Sequence, residues 1–318
     1  MSFETIVLFL VGFYILIKGA NILIEGAVSV AKKFDISDWV VGVLIVGIGT
    51  SMPEFSIAIA SAFNGVDIGM ATILGSNTFN TLVIGGVIAM ISPIVVRKSW
   101  VAMDFVINFL VILISGLLVF TSFFDDSSFA GISRPEGFLL LILFFVWIAM
   151  MVSRRHGKEQ EEQAVDYKIF ALSTSLLMVV GGVLGVFVGG RWVVSGAESL
   201  ALFFGASDAL IGLTLVAIGT SLPELTVSVT AVIKGQNRIG LGNIIGSNIF
   251  DFLGILGIAS VLHPMEIPTL FARDFAMTFL ATFILFISLY IGERYKIKRW
   301  QGFLFVLIYL AYLVLIIS

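Results

Sequence analysis

Ten apolar stretches fill most of the chain, and they restrict its fold more than any other feature of the sequence. A helix needs about 20 apolar residues to cross a bilayer. Because the bilayer interior offers the backbone no hydrogen-bond partners, such stretches must be helical. Only 12% of the residues are charged, a fraction that few soluble domains show. The sequence therefore predicts an all-α integral membrane protein with ten transmembrane helices, near residues 5–31, 38–63, 68–92, 99–121, 135–153, 168–203, 208–233, 239–262, 272–292 and 300–317.

The two halves of the chain repeat one another. The hexapeptide at 49–54, Gly-Thr-Ser-Met-Pro-Glu, recurs 170 residues later at 219–224 as Gly-Thr-Ser-Leu-Pro-Glu. The tripeptide Gly-Ser-Asn at 75–77 recurs 171 residues later at 246–248. Each half holds five spans, an odd number, so the second half must insert upside down relative to the first. This predicts two five-helix repeats of inverted topology, an architecture that many secondary transporters use for alternating access.

A polar segment between the halves sets the predicted domain boundaries. We predict a first repeat at 1–153, a linker at 154–167 and a second repeat at 168–318. Basic residues concentrate in cytoplasmic loops. If both termini lie outside the cell, fourteen Lys and Arg residues fall in inner loops and only Arg134 and Arg273 in outer ones. The sequence thus predicts extracellular termini, a cytoplasmic linker and a location in the cell membrane.

The repeated hexapeptide places a carboxylate where membrane helices rarely hold one. A charged side chain at the centre of a membrane helix costs about 2.5–3.5 kcal/mol on insertion scales and by default marks an ion or substrate path. Neither Glu54 nor Glu224 has a basic residue within a helical turn. Pro53 frees the carbonyl of Gly49, which is tolerated where such a carbonyl lines a cavity and binds a cation. A proline kink for packing alone would not explain two kinks that each carry an acid.

Further polar groups accompany each acid. In the first half, helical spacing places Gly47, Thr50 and Ser51 on the same helix face as Glu54. In the second half it places Ala217, Thr220 and Ser221 on the same face as Glu224. The next span of each half adds Ser76 and Asn80, and Ser247 and Asp251. Asn77 and Asn248 are expected to form hydrogen bonds between helices rather than to bind ions.

The chemistry of this set favours hard cations. Carboxylates, hydroxyls, an amide and carbonyls are oxygen ligands suited to Na+ or Ca2+. The chain has no cysteine, and neither His156 nor His263 joins a motif. Zinc, copper and iron sites and most nucleophile–base enzymes are therefore disfavoured. We expect no enzyme activity, no cofactor and no nucleic-acid partner.

Two further charge pairs lie inside spans. Lys18 and Glu25 are seven residues apart, and so are Arg191 and Glu198, which places each pair on one face of a long helix. We expect snorkelling near the outer interface or structural ion pairs at these positions.

At the doubled hexapeptide and the two Gly-Ser-Asn segments, the chain resembles the cation/calcium exchanger superfamily, specifically its prokaryotic sodium/calcium exchanger branch. The resemblance covers essentially the whole chain. It implies one ion-binding centre at mid-membrane, with Glu54 and Glu224 as central Ca2+ ligands together with the carbonyls of Thr50 and Thr220. It also implies that spans one and six slide as a gate. Position 47 holds Gly where the family pattern has Ala.

The resemblance also implies flanking Na+ sites. One would use Gly47, Thr50, Ser51, Glu54 and Ser76, the other Ala217, Thr220, Ser221, Glu224 and Ser247, with Asn80 and Asp251 at the middle position. The predicted function is thus antiport of Na+ against Ca2+ by a protein that works as a monomer in the lipid bilayer. The nearest alternative is an H+- or K+-coupled Ca2+ exchanger, although H+-coupled relatives typically carry Gly-Asn-x-x-Glu in this motif. A cation channel and an intramembrane enzyme are more distant alternatives.

The repeat changes charge at one place. We expect Asn80 to face Asp251, so that the centre holds three carboxylates, although two suffice to neutralise Ca2+. Coupled carboxylates in a small volume tend to keep a proton on one member. We hypothesise that Asp251 is that member in at least the Na+-loaded state, because an asparagine takes its place in the other half.

Overall fold

The computed structural model describes residues 3–64, 68–96, 101–121, 131–153, 168–203, 217–266 and 271–317. The helices of the first half are α1 (Phe3–Phe34), α2 (Asp38–Thr50), α3 (Met52–Asn64), α4 (Ile68–Phe79, a π turn at Asn80–Ile84, and Gly85–Ile91), α5 (a π turn at Val101–Phe105, then Val106–Thr121) and α6 (Arg134–Ser153). Those of the second half are α7 (Leu172–Phe203), α8 (Ala217–Thr220), α9 (Leu222–Ile233), α10 (Asn237–Ile249, a π turn at Phe250–Ile255, and Leu256–Leu262), α11 (Ala272–Ser288) and α12 (Arg299–Ile317).

The helical class is confirmed, and the count of spans is confirmed in part. Among the described residues, six helices are long and apolar enough to cross a bilayer, and counting α2 and α3 as one bent span makes seven. Leu222–Ile233 and Arg299–Leu315 are apolar but shorter. Ten spans and their inverted order therefore stay predictions. The start of the predicted seventh span and the predicted linker at 154–167 lie outside the described residues.

Both hexapeptides interrupt their helices rather than kink them. The chain leaves helical geometry at Ser51 (φ −79°, ψ 13°) and at Ser221 (φ −88°, ψ 2°). Helices α2 and α3 meet there at an angle of 47°. Pro53 and Pro223 consequently lie in the first turn of a new helix, where no backbone N–H is needed. Gly47, Thr50, Ser51 and Glu54 were predicted to share one helix face. That prediction is wrong, because the break at Ser51 divides them between two helical segments.

Glycines let α2 and α10 pack backbone against backbone. A Cβ atom added at Gly42 would lie 2.7 Å from the carbonyl oxygen of Ile239. One added at Gly47 would lie 2.9 Å from the backbone nitrogen of Ser247. Contacts this short leave no room for a side chain, so the first-half hexapeptide is held directly against the second-half Gly-Ser-Asn segment.

The two longest helices pack along one another. Helices α1 and α7 each have 32 residues, and a Cβ atom added at Gly182 would lie 2.6 Å from the backbone nitrogen of Leu23. At one end of the pair, the buried hydroxyls of Ser29 and Ser175 are 2.8 Å apart, and the Phe170 N–H donates to Ser29 Oγ at 2.9 Å. The glycines thus let the two backbones approach closely, and the sliding of these helices that the family resemblance implies stays a prediction.

The charges inside α1 do not pair with each other. Glu25 accepts a hydrogen bond from Lys234, which lies just after α9, at 2.8 Å. Lys18 instead lies 5.8 Å from the ring centroid of Tyr14, in a cation–π contact. Glu25 therefore does form an ion pair, but with a residue of the second half of the chain and not with Lys18. Arg191 and Glu198 lie on exposed parts of α7, where the snorkelling interpretation applies.

Two short antiparallel strand pairs, which the sequence did not predict, join loops of the two halves. Strand β1 (Ile94–Val95) follows α4 and pairs with β4 (Lys296–Ile297), which precedes α12. Strand β2 (Gly131–Ile132) precedes α6 and pairs with β3 (Met265–Glu266), which follows α10. Each strand pair therefore links the loop after the third predicted span of one half to the loop before the fifth predicted span of the other half.

Candidate cation-binding site

The helix breaks create the electrostatic setting of the site. Glu54 and Glu224 each lie in the first turn of the helix that follows a break, where the helix dipole is positive and stabilises a carboxylate. Thr50 and Thr220 end the preceding segments, where the dipole is negative and unpaired carbonyls favour a cation. The break thus places a carboxylate beside the negative end of a helix, an arrangement that a bound cation stabilises.

Seven oxygen atoms of this region are buried and have no hydrogen-bond partner among the residues that the structure describes. They are both carboxylate oxygens of Glu54, Oε2 of Glu224, Oδ1 of Asp251, Asn77 and Asn80, and Oγ of Ser221. The carboxylates of Glu224 and Asp251 lie close enough to act on the charge of Glu54. Buried polar atoms normally have partners, so a cluster of oxygen atoms without protein partners is suited to bind a cation.

One flank of the site combines both repeats. The Ser247 hydroxyl donates to the Gly47 carbonyl at 3.1 Å, and its oxygen lies 3.4 Å from Thr50 Oγ1. The resemblance had grouped Ser247 with Ala217 and Thr220 of its own half. That grouping is wrong for this hydroxyl, because the close packing of α10 on α2 brings Ser247 to the flank formed by the first-half hexapeptide.

The two hexapeptides are not equivalent around their acids. The Ser51 hydroxyl donates to Glu224 Oε1 at 3.2 Å across the site. The corresponding hydroxyl, that of Ser221, has no hydrogen-bond partner in the described part of the chain. Glu224 is therefore paired with a hydroxyl of the other hexapeptide, and Glu54 interacts with the side chain of Thr220.

The asparagines pair across α4 and α10 in a symmetric pattern. Asn77 Nδ2 donates to Asp251 Oδ2 at 2.8 Å, and Asn80 Nδ2 lies 3.4 Å from Asn248 Oδ1. Asn248 also donates to the Thr81 hydroxyl at 3.0 Å. The expectation that Asn77 and Asn248 join helices is confirmed. Asn80 and Asp251 each form a hydrogen bond with an asparagine of the opposite repeat, and the expectation that they face one another stays a prediction.

The remaining predicted ligands, Ser76, Ala217 and Thr220, lie on α4 and α8. Ser76 is fully buried, and its hydroxyl donates to the carbonyl of Ile73 at 3.2 Å. The described part of α8 runs from Ala217 to Thr220 and packs on α4. The structure therefore brings the backbone of the second hexapeptide to the helix that carries Ser76, the mirror of the contact between α2 and α10.

Two buried residues near the site were missed by the sequence analysis. Asn243 accepts a hydrogen bond from Thr50 and donates to Ser228 and to the carbonyl of Glu224. The corresponding first-half positions hold Thr72 and Ala58, so the search for shared residues could not find this pair. An asparagine within an apolar span four residues before Ser247 was the one available signal.

Neutral oxygens must provide most of the ligands. Within the described ranges, no three acidic, histidine or cysteine side chains converge closely enough to hold a metal ion by themselves. Two carboxylates supplemented by hydroxyls, amide oxygens and backbone carbonyls form a mixed oxygen set, which suits Na+ and Ca2+. Such a set can exchange one cation for another but offers no nucleophile with an adjacent base.

Comparisons with known proteins agree with this chemistry. A profile described as "Sodium/calcium exchanger protein" matches residues 4–153 and 174–318. The chain is 36% identical over 304 residues to an uncharacterized membrane protein of Methanocaldococcus jannaschii, covering 95% of this chain and 94% of that protein. It is 29% identical over 352 residues to the sodium/calcium exchanger MaX1 of Methanosarcina acetivorans, covering 96% and 97%.

The fold agrees as well. A solved structure of the sodium-calcium exchanger NCX_Mj, soaked with Na+ and Sr2+, matches with a TM-score of 0.83 and 30% identity, and 99% of each chain is covered. The profile match spans most of the chain in both halves. The chain therefore belongs to the sodium/calcium exchanger family, within the cation/calcium exchanger superfamily.

Proposed function

We propose that this chain exchanges Na+ for Ca2+ across the cell membrane, with Na+ entry driving Ca2+ export by alternating access. Members of its family are multi-pass membrane transporters of Na+ and Ca2+, and they are neither enzymes nor cofactor-dependent. The choice of Na+ as the coupling ion is our own step. It is supported by the similarity to the sodium/calcium exchanger MaX1 and by the absence of the Gly-Asn-x-x-Glu pattern in both hexapeptides.

The observation that carries the proposal is the cluster of buried, unpartnered oxygens around Glu54, Glu224 and Asp251. Bare carboxylates in a closed interior are poorly solvated and repel one another. One Ca2+ or several Na+ would neutralise them, and the two ions would compete for the same oxygens. The protein should then change sides only when loaded, which makes exchange obligatory and excludes free flux of one ion.

We further propose ten spans in two inverted repeats, at 1–153 and 168–318, joined by a cytoplasmic linker at 154–167. Both termini would lie outside the cell. Contacts between loops support this arrangement, because the strand pairs join only loops that the basic residues assign to the same side. We also propose function as a monomer, because the predicted ligands from the two repeats of one chain suffice to form the site.

Transport assays in proteoliposomes test the coupling ion directly. Purified protein is reconstituted, and uptake of radioactive Ca2+ is followed under an outward gradient of Na+, K+ or H+ imposed separately. We expect uptake only with the Na+ gradient, and none without a counter-ion. Uptake driven by a proton gradient alone, or only when K+ is also present, would replace Na+/Ca2+ exchange with the H+- or K+-coupled alternative. Ca2+ flux without any counter-ion would indicate a channel.

A further inference from the structure

Asn243 connects the two hexapeptides from outside both of them. Its side chain is completely buried on α10. Thr50 Oγ1 donates to Asn243 Oδ1 at 3.0 Å, while Asn243 Nδ2 donates to Ser228 Oγ at 2.9 Å and to the Glu224 carbonyl at 3.3 Å. One carboxamide thus contacts the last residue of α2 and the first turn of α9, which carry the two motifs.

The directions of these hydrogen bonds follow from the backbone carbonyl of Gly240, which is the last acceptor in this series of hydrogen bonds. The Gly240 carbonyl can only accept, so the Ser228 hydroxyl donates its single proton there, at 3.1 Å. Ser228 Oγ must then accept from Asn243, which turns the amide nitrogen toward α9. The Glu224 carbonyl requires the same orientation. The amide oxygen of Asn243 therefore faces Thr50, and the Thr50 hydroxyl must be the donor.

This direction determines whether Thr50 can bind a cation. A hydroxyl coordinates a cation through its lone pairs, so its proton must point elsewhere. The alternative acceptors for the Thr50 proton are the Gly47 carbonyl at 3.3 Å, Ser247 Oγ at 3.4 Å and the Glu224 carboxylate, which also interacts with the Thr50 side chain. The first two are longer contacts than the one to Asn243, and all three groups belong to the proposed cation site. If Thr50 donated to any of them, it would occupy a lone pair that a cation needs.

We propose that Asn243 is a positioning residue that tunes cation binding at the flank formed by Gly47, Thr50 and Ser247. By taking the proton of Thr50, its amide oxygen leaves the lone pairs of the Thr50 hydroxyl oxygen available to Na+, together with the second lone pair of the Gly47 carbonyl, whose first accepts from Ser247. The inference rests on the proposed Na+/Ca2+ exchange. Asn243 itself touches no ion in this account.

The other half of the chain lacks this device. The positions that correspond to Asn243 and Ser228 hold Thr72 and Ala58. A threonine has one hydroxyl proton and no amide, and alanine has no polar group, so the ordered relay cannot be built there. The two flanking sites should consequently differ in affinity, with the stronger Na+ site at the flank that Asn243 orients.

The experiment separates a tuning role from a structural one. Asn243→Ala is reconstituted, and two activities are measured: Na+-driven Ca2+ uptake at varied Na+, and Ca2+–Ca2+ exchange without Na+. Loss of one hydrogen bond should raise the KM for Na+ by about three- to tenfold. Ca2+–Ca2+ exchange, which depends on the central carboxylates, should keep its KM for Ca2+. Asn243→Thr, which restores an acceptor for Thr50, should recover part of the Na+ affinity.

Controls distinguish the outcomes. Thr72→Ala changes the matching position of the other half and should produce no comparable rise in the KM for Na+. Ser228→Ala should produce a smaller rise in the same direction, and it carries the test if Asn243→Ala does not fold. An equal loss of both activities, or no change in the KM for Na+, would overturn the role of Asn243. If the wild-type protein shows no Na+-driven uptake, the proposed function and this inference both fail.

Discussion

Glu54 and Glu224 occupy the same position in two copies of one motif, yet the protein satisfies them differently. Ser51 donates to Glu224 Oε1, whereas neither oxygen of Glu54 has a hydrogen-bond partner among the described residues. A buried carboxylate without partners is costly. The helix N-terminus and the side chain of Thr220 offset part of that cost, and a bound cation would offset the remainder.

Neutralising either acid should stop Ca2+ transport without unfolding the protein. Glu54→Gln and Glu224→Gln each remove a ligand charge while keeping the side-chain shape, so we expect exchange to fall at least about 100-fold. Melting temperature in ion-free detergent should stay unchanged or rise, because a buried charge has been removed. Glu198→Gln, at an exposed position of α7, is the matched control and should transport normally. Near-normal Ca2+ exchange by either site variant would refute the ligand assignment.

The third carboxylate should tolerate the same kind of change. Asp251 accepts a hydrogen bond from Asn77, and the carboxamide introduced by Asp251→Asn can accept it as well. If Asp251 carries a proton in the Na+-loaded state, the variant should keep exchange within about tenfold of wild type. Its rate should also depend less on pH, because one titrating group leaves a coupled centre. Na+-dependent Ca2+ flux measured across pH decides the matter, and complete loss at every pH would show that the charge is required.

Comparison of the two halves identified the residues that they share, and it missed those that differ. Glu54, Thr50 and Ser76 stood out because each recurs in register. Asn243 did not, because Thr72 stands at the corresponding position. The spacing of residues also gave no information on which helices meet across the site, so the contact of Ser247 with Gly47 could be learned only from the packing of α10 on α2.

At the scale of elements, local geometry departs from regular helix where the site is built. Asn80 begins one π turn and Asp251 lies in another. A π turn adds a residue to a helical turn and is frequent at functional sites. Hydropathy and i, i+4 spacing do not register such an insertion, so the sequence did not predict that Asp251 would accept a hydrogen bond from Asn77.

Gly47 sets how closely α2 approaches α10, and its substitution tests that contact. A Cβ atom there would lie 2.9 to 3.1 Å from three backbone atoms of α10, which cannot move independently. We expect Gly47→Ala to separate the helices slightly, to weaken the flank that includes Ser247, and to destabilise the protein by about 1–3 kcal/mol. Thermal melting and the KM for Na+ are the measurements.

Gly181→Ala provides the matched control for this substitution. A Cβ atom at Gly181, on α7, would meet nothing within 4 Å. Alanine is the better helix former by about 1 kcal/mol, so this variant should be as stable as wild type or more so. If Gly47→Ala behaved like Gly181→Ala in melting and Na+ dependence, the close approach of α2 and α10 would have no functional consequence.

At the scale of the whole molecule, contacts between loops indicate which helix ends share a side of the membrane. Asn237, at the start of α10, donates to Ser92 Oγ just beyond the end of α4, at 3.3 Å. Asn64 precedes the opposite end of α4, which begins at Ile68. A helix of this length spans about 35 Å. The turn before α10 therefore lies at one end of α4, and Asn64 lies near the other end. These two loops occupy corresponding positions in the two repeats, and an inverted repeat requires them to be on opposite sides of the membrane.

Thiol labelling tests this arrangement in cells, because the chain has no cysteine of its own. Gly235 has a φ of 76°, where a cysteine would be strained, so the neighbouring Gln236 is the better labelling position. With both termini outside, Asn64→Cys should react with a membrane-impermeant maleimide in intact cells. Gln236→Cys should react only after permeabilisation, because it belongs to the cytoplasmic side together with Ser92 and the basic loops. The unmodified protein is the control for background labelling. Reaction of both positions in intact cells, or of neither until the cells are opened, would place corresponding loops on one side and refute the inverted repeat.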